Sequence, residues 1–329
     1  MIILSSEVVR QSLPMSQAIS AMKRAYAALS AGRAEVPLRS RLPVPPHEAA
    51  SLFMPVFLED DQGQALCVKV VSLFPHNDRR GLPLIQAAVL VLDPETGQPV
   101  ALLEGSALTA IRTGAASGAA TDLLARPDSR GAAIFGAGVQ GRTQLEAVCA
   151  VRPIETAWIY DTDRQRIDRL IGEMAGRSGV PQDLRPAGSP TEALAEADVI
   201  CTATTSLTPV FRDEDIKPGA HINGVGAYTP EMQEIPPETV RRAVVFVDSR
   251  SAVLSEAGDL IQPIQAGMIG ADHIQAELGE VVLGRHPGRT DADQITFFKS
   301  VGVAVQDAAA ARLALRNAEK HGLGQTIQW

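Results

Sequence analysis

The sequence has few aromatic residues, few cysteines and fewer basic than acidic residues. Aromatic side chains make up 4% of the 329 residues, and the formal net charge is −8. Nucleic acids and anionic membranes bind clusters of Lys and Arg, so an acidic chain is a poor match for either. We therefore expect no nucleic-acid and no membrane partner. The apolar fraction of 45% is typical of a globular protein.

Several sequence signals are missing, and each absence excludes a class of protein or site. The three cysteines form no C-x-x-C pair and no two histidines have metalloprotease spacing, so we expect no metal site. The N-terminus lacks a basic segment followed by an apolar run, and no stretch approaches the ~20 apolar residues of a membrane span. A cytoplasmic location is the resulting expectation.

The first hundred residues have the pattern of a helix followed by a mostly antiparallel sheet. Apolar residues at helical spacing predict one amphipathic helix over residues 7–31, with Gly32 just beyond its end. A proline-rich connection follows. Four strands are then predicted, and a turn at 93–97 makes the last two a hairpin. These strands cover residues 51–58, 65–72, 86–92 and 100–104.

From residue 106 onward, predicted helices and strands alternate. An Ala- and Gly-rich helix at 107–124 precedes strands at 132–135, 156–160, 199–203, 221–225 and 244–247, with helices at 140–151, 164–177 and 191–196. This βαβ order predicts an α/β fold with a doubly wound parallel sheet of the Rossmann type. The last helix, 301–320, is expected to return to the first sheet. We therefore predict a Rossmann domain over 119–302 and a discontinuous α+β domain over 1–118 and 303–329.

A dinucleotide-binding fingerprint occupies the first strand-to-helix turn of the alternating part. Gly136, Gly138 and Gly141 fit the pattern G-x-G-x-x-G, with Val139 and Gln140 between them. Glycines at these positions allow a tight turn and let a pyrophosphate approach the free N–H groups at the start of the helix. The apolar strand before the turn and the helix after it supply the context that this short motif needs.

The end of the second strand indicates which dinucleotide is bound. Asp161 lies about 20 residues beyond the last glycine, where an acidic residue accepts hydrogen bonds from both ribose hydroxyls of the adenosine. A carboxylate there repels a 2′-phosphate, so NAD(H) is preferred. Arg164 and Arg166 lie nearby and leave NADP(H) possible.

Six short segments, in order along the chain, resemble a known family. They are LTAIRTGAAS at 108–117, GAGVQG at 136–141, INGVGA at 222–227, VDS at 247–249, GDL at 258–260 and FKSVG at 298–302. With them the chain resembles the ornithine cyclodeaminase/μ-crystallin family. The resemblance implies a homodimer, a first domain for substrate and dimer contact, and a site in the cleft beside the Rossmann domain. It also implies hydride transfer between a nicotinamide and the α-carbon of an amino or imino acid.

The same resemblance implies which residues bind the cofactor and the substrate. Lys69 matches the family's active-site lysine, with carboxylate contact and proton supply as its roles, and a desolvated lysine can have the lowered pKa that proton transfer needs. Arg39 matches an arginine that pairs with the substrate carboxylate, although Arg41 is an open alternative. The implied cofactor contacts are Arg112, which also binds the substrate, Thr113, Thr202, Ala203, Val225, Gly226 and Ser300.

Three other residues with chemically useful side chains are given structural or solvent-exposed positions. His221 begins a strand and is predicted to be structural. His76 lies in a polar turn and is predicted to be a solvated loop residue. Asp307, on the last helix, is predicted to be a surface or capping acid.

Ala227 indicates which reaction of the family is expected. In cyclodeaminases and alanine dehydrogenases of the family an aspartate stands here, and the cyclodeaminase acid before Met54 is also missing. The segment GAYTPEM at 226–232 resembles reductases of Δ1-pyrroline-2-carboxylate and Δ1-piperideine-2-carboxylate, which form L-proline and L-pipecolate. The alternatives are an alanine-type amino-acid dehydrogenase, an ornithine cyclodeaminase and a non-enzymatic nucleotide and ligand binder like μ-crystallin.

Overall fold

The computed structural model describes residues 1–328, apart from the side chain of Asp78, and divides into two compact units. The first unit is Met1–Arg112 together with the chain from Val303 onward, and the second is Thr113–Gly302. The units divide within one helix, earlier than the predicted boundary after residue 118. The extent of the two domains stays a prediction.

Helices and strands are numbered in chain order. Up to the division they are β1 (Ile2–Leu4), α1 (Ser6–Ser12), α2 (Met15–Ser30), β2 (Ala34–Glu35), β3 (Ser40–Val44), β4 (Ala49–Asp60), β5 (Gly63–Leu73), β6 (Ile85–Leu92), β7 (Pro99–Glu104) and α3 (Gly105–Leu124). Short 3-10 helices lie at Pro45–His47 and Pro75–Arg80.

The alternating part and the C-terminal segment form the remaining helices and strands. They contain β8 (Gly131–Phe135), α4 (Val139–Cys149), β9 (Thr156–Tyr160), α5 (Arg164–Met174), β10 (Asp183–Pro186), α6 (Pro190–Leu194), β11 (Val199–Thr202), β12 (His221–Gly224), α7 (Pro237–Arg242), β13 (Val244–Val247), α8 (Arg250–Glu256), α9 (Gly258–Gln265), β14 (Ile274–Glu277), α10 (Leu278–Val282), β15 (Thr296–Lys299), α11 (Ala304–Lys320) and β16 (Gln325–Thr326). None of the helices in residues 1–328 is both long and apolar enough to cross a membrane.

The sheet of the first unit is mostly antiparallel, as predicted. Its strand order is β16-β1-β7-β6-β5-β4-β2, β3 also pairs with β4, and only β1 and β7 pair in parallel among the strands of this order. The predicted hairpin is β6 and β7. Helix α11 packs against α2, β4 and β5, which confirms the predicted return of the last helix to this sheet.

The two faces of this sheet differ in burial because strand side chains alternate between faces. On β4 and β5 the residues toward α11 and α2 are buried, among them Met54, Val56, Cys67 and Lys69. The opposite face is also apolar, yet its residues remain partly exposed, as at Phe53.

The prediction of one helix over residues 7–31 is wrong. The chain forms α1 and α2, separated at Leu13 and Pro14. Proline disfavours helical conformation in the residue before it, and Leu13 has φ −123° and ψ 68°. The predicted C-terminal end is confirmed: Gly32 has φ +71°, and the Gly32 and Arg33 N–H groups donate to carbonyls of the last turn of α2.

The second unit contains an eight-stranded sheet with the order β10-β9-β8-β11-β12-β15-β13-β14. All its neighbouring strands are parallel. Buried apolar residues fill both faces, as expected for a parallel sheet covered by helices. The predicted fold class, which combines a doubly wound parallel sheet in one unit with an α+β arrangement in the other, is confirmed.

Candidate active site

A cavity of about 450 Å³ lies at the carboxyl ends of β8, β9 and β11 in the second unit. The strand order reverses between β8 and β11, and this is the place where open α/β sheets bind ligands. The cavity is lined by six of the predicted cofactor residues: Gly136, Gly138, Val139, Gln140, Asp161 and Ala203. It is also lined by Arg166 and by Thr204–Ser206, a loop that the sequence motifs did not single out.

The three glycines of the fingerprint have three different reasons to be glycine. Gly136 has φ +96°, a conformation that L side chains rarely adopt. A Cβ added to Gly141 would lie 2.0 Å from the Gly136 carbonyl oxygen, so a side chain there would clash with the turn. A Cβ on Gly138, at the N-cap of α4, would meet nothing within 4 Å. That open space allows close approach of a ligand to the backbone.

Asp161 is tied to the glycine turn itself. Its Oδ2 accepts a hydrogen bond from Ala137 N at 2.7 Å, and its Oδ1 accepts one from Asp163 N at 2.9 Å. The carboxylate therefore stands at the cavity wall in a fixed orientation. Arg166 lies on the same cavity, and its Nε is 3.4 Å from Asp163 Oδ2.

A buried carboxylate, Glu234, holds the loops that follow β11 and β12. It accepts hydrogen bonds from Thr202 Oγ1 at 3.0 Å, Thr204 N at 2.6 Å and Gly226 N at 2.7 Å. Burial raises the pKa of this carboxyl group. Val225 N in turn donates to Thr202 O at 3.0 Å. Glu234 thus fixes the backbone around three of the predicted cofactor residues, whose cofactor contacts stay predictions.

A second buried carboxylate, Asp248, organises the turn after β15. Its Oδ2 accepts hydrogen bonds from Ser300 Oγ at 2.7 Å, Val301 N at 3.0 Å and Gly302 N at 2.8 Å. Ser300 is buried in this network, and Thr113 O accepts from Gln144 Nε2 at 3.4 Å. The cofactor contacts of Ser300 and Thr113 also stay predictions.

In the first unit, Lys69 lies on β5 between β4 and β6 and is fully buried. Its Nζ is 2.7 Å from Asp307 Oδ2. Burial lowers the pKa of Lys69 to about 8; Asp307 acts in the opposite direction, and the positive charges of Arg112 and Arg39 add to the lowering. An amine with this pKa gains and loses a proton near neutral pH.

The prediction that Asp307 is a surface or capping acid is wrong. Its side chain is completely buried, and it lies between Lys69 and Arg112, whose Nε donates to Asp307 Oδ1 at 3.1 Å. On the Ala-rich last helix an aspartate near the N-terminus has the appearance of a helix cap. Only the packing of α11 on β5 brings it to the lysine.

The two predicted arginines of the substrate site lie close to this ion pair. Arg112 is buried on α3, and its second hydrogen bond goes to Gln306 Oε1 at 2.7 Å. Arg39 is partly buried and near enough to influence Lys69 electrostatically, whereas Arg41 on β3 is exposed. The structure therefore brings together Lys69, Arg39 and Arg112 and adds Asp307.

The remaining candidates have structural surroundings. His221 is buried, its Nδ1 lies 2.9 Å from Thr296 Oγ1, and burial lowers its pKa to about 3. His76 lies at the surface with Nε2 2.8 Å from Glu48 Oε2. Ala227 is buried, and its N–H donates to Glu234 Oε2 at 3.1 Å. Among residues 1–328, apart from the side chain of Asp78, no three His, Cys, Asp or Glu side chains are grouped to hold a metal ion.

Comparison with known proteins identifies the family. The model of the ornithine cyclodeaminase/mu-crystallin family matches residues 1–322. The chain belongs to this family. The family prediction made from the motifs is therefore confirmed.

Relatives within the family match the chain over its whole length. A Δ1-pyrroline-2-carboxylate reductase of Bacillus cereus is 38% identical over 330 aligned positions, covering 100% of both chains. The structure of the Thermococcus litoralis Δ1-pyrroline-2-carboxylate reductase in complex with NADH and L-proline has a TM-score of 0.94 and 44% identity, covering 99% of this chain and 100% of that one. An archaeal alanine dehydrogenase dimer with bound NAD has a TM-score of 0.92 and 31% identity, covering 100% and 99%.

Proposed function

We propose that the chain is a NAD(H)-dependent reductase of cyclic imino acids. It adds a hydride to the imine carbon of Δ1-pyrroline-2-carboxylate or Δ1-piperideine-2-carboxylate, and the imine nitrogen takes a proton, which gives L-proline or L-pipecolate. The observation that carries this proposal is the full-length likeness to the Thermococcus litoralis reductase. The buried lysine of the first unit and the glycine turn of the second support it.

The cavity of the second unit is the proposed cofactor site. Bound NADH supplies the hydride. The pyrophosphate binds in the open space beside Gly138, at the N-terminus of α4. Asp161 accepts hydrogen bonds from the ribose hydroxyls. Thr113, Thr202, Val225, Gly226 and Ser300 are proposed to complete the site.

The cluster around Lys69 is the proposed substrate site. A cyclic imino acid carries one carboxylate and one ring nitrogen, so it needs a cation for the first and a proton for the second. Arg39 binds the carboxylate, and Arg112 contributes a second positive charge. Lys69 donates its proton to the imine nitrogen as the hydride reaches carbon. Its pKa of about 8 suits proton transfer near neutral pH.

A homodimer is part of the proposal. One face of the first unit's sheet is covered by α2 and α11, while the opposite face presents partly exposed apolar side chains. Leu42 and Phe53 lie on this face, since residues Ser40 and Phe53 pair directly and residues two apart share a face. Exposed apolar surface of this kind marks protein–protein contacts. The proposed partner is a second copy, as in the archaeal alanine dehydrogenase dimer.

The test measures NADH consumption with three substrates: pyrroline-2-carboxylate, piperideine-2-carboxylate, and pyruvate with ammonia. Conversion of ornithine to proline leaves the nicotinamide unchanged overall, so ornithine is tested with NAD⁺ by the release of proline. We expect at least one cyclic imine to be reduced with the highest kcat/KM. Faster turnover of pyruvate with ammonia would replace the proposal by an alanine dehydrogenase. Efficient conversion of ornithine to proline would replace it by a cyclodeaminase, and NADH binding without turnover would indicate a binding protein.

A further inference from the structure

The ion pairs around Asp307 form a buried cluster in the first unit. Lys69 and Arg112 both contact its carboxylate, and Arg39 lies near enough to influence Lys69 electrostatically. The thiol of Cys67 lies on the same strand as Lys69 and stays neutral because burial raises its pKa. Because one carboxylate contacts both cations, its removal changes the electrostatics at Lys69 and at Arg112.

The position of Asp307 is fixed from several sides. It lies in the first turn of α11, where the helix dipole favours a negative charge. Its neighbour Gln306 accepts a hydrogen bond from Arg112 and donates one to Tyr26 of α2. The two oxygens of Asp307 face two different cations, Lys69 Nζ at 2.7 Å and Arg112 Nε at 3.1 Å. A carboxylate held in this way sets the distance between both cations.

We propose that Asp307 is a positioning residue, which holds Lys69 and Arg112 in place and keeps Lys69 protonated until the imine nitrogen takes its proton. The inference rests on the proposed function, because it assigns Lys69 as the acid of that reaction. Without the carboxylate, the lysine would be buried beside two guanidinium groups. Its neutral form would then be favoured, and a neutral amine has no proton to give.

The charged groups that face Lys69 determine how the activity depends on pH. Burial and the charges of Arg112 and Arg39 favour the neutral amine, while Asp307 favours the ammonium form. The enzyme is active while Lys69 is protonated, so activity is present below the pKa of Lys69 and is lost above it. An opposite charge in contact shifts a pKa by roughly 1–3 units. Asp307→Asn is therefore expected to move the pH at which activity is lost downward by that amount.

The experiment compares Asp307→Asn and Asp307→Glu with Asp60→Asn. Asp60 is a matched control because it is also buried in the first unit and paired with α11, through Arg312. Lysine labelled with ¹³C at Cε allows the titration of Lys69 to be followed by NMR without substrate, and its signal is assigned by Lys69→Arg. The pH profile of kcat for imine reduction is measured on the same proteins.

We expect the midpoint of Lys69 to fall from about 8 by roughly 1–3 pH units in Asp307→Asn, with a loss of about fivefold or more in kcat at pH 8. Asp307→Glu should keep most of the kcat at pH 8 and a Lys69 midpoint near that of the unaltered protein. Asp60→Asn should change neither the midpoint nor kcat. If Asp307→Asn does not fold, Asp307→Ser gives the same test with a smaller neutral side chain: the midpoint should again fall, because the carboxylate is removed.

Two results separate the failure of this inference from that of the proposed function. Imine reduction with an unmoved Lys69 midpoint in Asp307→Asn, or in Asp307→Ser if only that variant folds, overturns the role of Asp307 alone. A protein that reduces no cyclic imine overturns the proposed function, and with it the assignment of Lys69 as the acid.

Discussion

At the level of single residues, the proposed proton transfer depends on how burial and charge compete at Lys69. Desolvation alone lowers the pKa of an amine, and a buried lysine with no partner would be neutral at physiological pH. The carboxylate of Asp307 opposes this effect at 2.7 Å, and the resulting pKa of about 8 leaves the proton available and yet transferable. A surface lysine would hold its proton too tightly for this use.

Replacement of Lys69 tests its role as proton donor. Lys69→Ala is expected to lower kcat for imine reduction by ~10²–10⁴-fold, the usual contribution of a general acid. NADH affinity is measured by the change in nucleotide fluorescence. It should stay within about twofold, a few tenths of a kcal/mol, because Lys69 is not one of the residues that line the proposed cofactor cavity. Unchanged imine reduction in this variant would move proton donation to another group or to water.

Replacement of Asp161 tests the preference for NADH. A hydrogen bond to a charged group contributes about 1.5–3 kcal/mol, so Asp161→Ser should lower kcat/KM with NADH by roughly 10–100-fold. The difference between the kcat/KM values for NADH and NADPH should become smaller. Asp168→Ser is the matched control, since Asp168 lies on α5 as an exposed partner of Arg164. An unaltered protein that already uses NADPH as well as NADH would contradict the assignment.

The residue scale also shows where sequence reasoning reaches its limit. Lys69, Arg39 and Arg112 could be named from motif matches, and they lie in one cluster. Asp307 and Glu234 could not, because a lone acid on an Ala-rich helix or in a loop carries no local signal of burial. Asp307 pairs with Arg112 across 195 positions, and Glu234 accepts hydrogen bonds from Thr202 and Thr204 about 30 positions away, so tertiary packing makes both the centres of networks.

At the scale of helices and strands, the glycine turn between β8 and α4 allows two functions of glycine to be separated. Gly141→Ala places a methyl group 2.0 Å from the Gly136 carbonyl oxygen and should cost about 1–3 kcal/mol of stability. The added methyl group of Gly138→Ala meets no protein atom within 4 Å, so the Tm should stay unchanged. The methyl group would occupy the space proposed for the pyrophosphate, so NADH should bind ~10-fold more weakly or worse, a change of about 1.4 kcal/mol. Equal NADH affinity in Gly138→Ala would contradict the proposed pyrophosphate position.

The apolar strands that alternate with helices and the helices with a clear period were largely predictable, whereas several other short strands and one helix interruption were not. β9 and β13 match their predicted ranges, and α3, α4 and α11 differ from theirs by a few residues at the ends. The short strands β1, β2, β10, β14, β15 and β16 and the proline-containing β3 were missed, since a few residues carry no clear period. Pro14 interrupts an otherwise continuous helical pattern, which is why α1 and α2 were joined in the prediction.

At the scale of the whole molecule, the chain returns to its first unit after completing the second, so the substrate candidates come from both ends of the sequence. Lys69 and Asp307 are in contact in the folded unit although almost the full Rossmann sequence separates them. The order of βαβ elements made this discontinuity predictable. The identity of the acid on the returning helix was not.

The proposed dimer can be tested on the apolar face of the first sheet. Leu42→Glu combined with Phe53→Glu should convert the protein from dimer to monomer in sedimentation velocity, because two like charges on a buried apolar interface are not compensated. Leu254→Glu, at a similarly exposed leucine on α8 of the second unit, should leave the dimer intact. A monomer in the unaltered protein at micromolar concentration would rule the proposed dimer out.

Direct hydride transfer to a cyclic imino acid can be followed by isotope transfer from the cofactor to the product. NADH carrying deuterium at both C4 positions is incubated with the protein and Δ1-pyrroline-2-carboxylate, and the product is analysed by NMR and chiral chromatography. We predict L-proline with one deuterium at the α-carbon, formed in equal amount to the NAD⁺ released. Proline without α-deuterium, or NADH that is bound and not oxidised, would contradict the account.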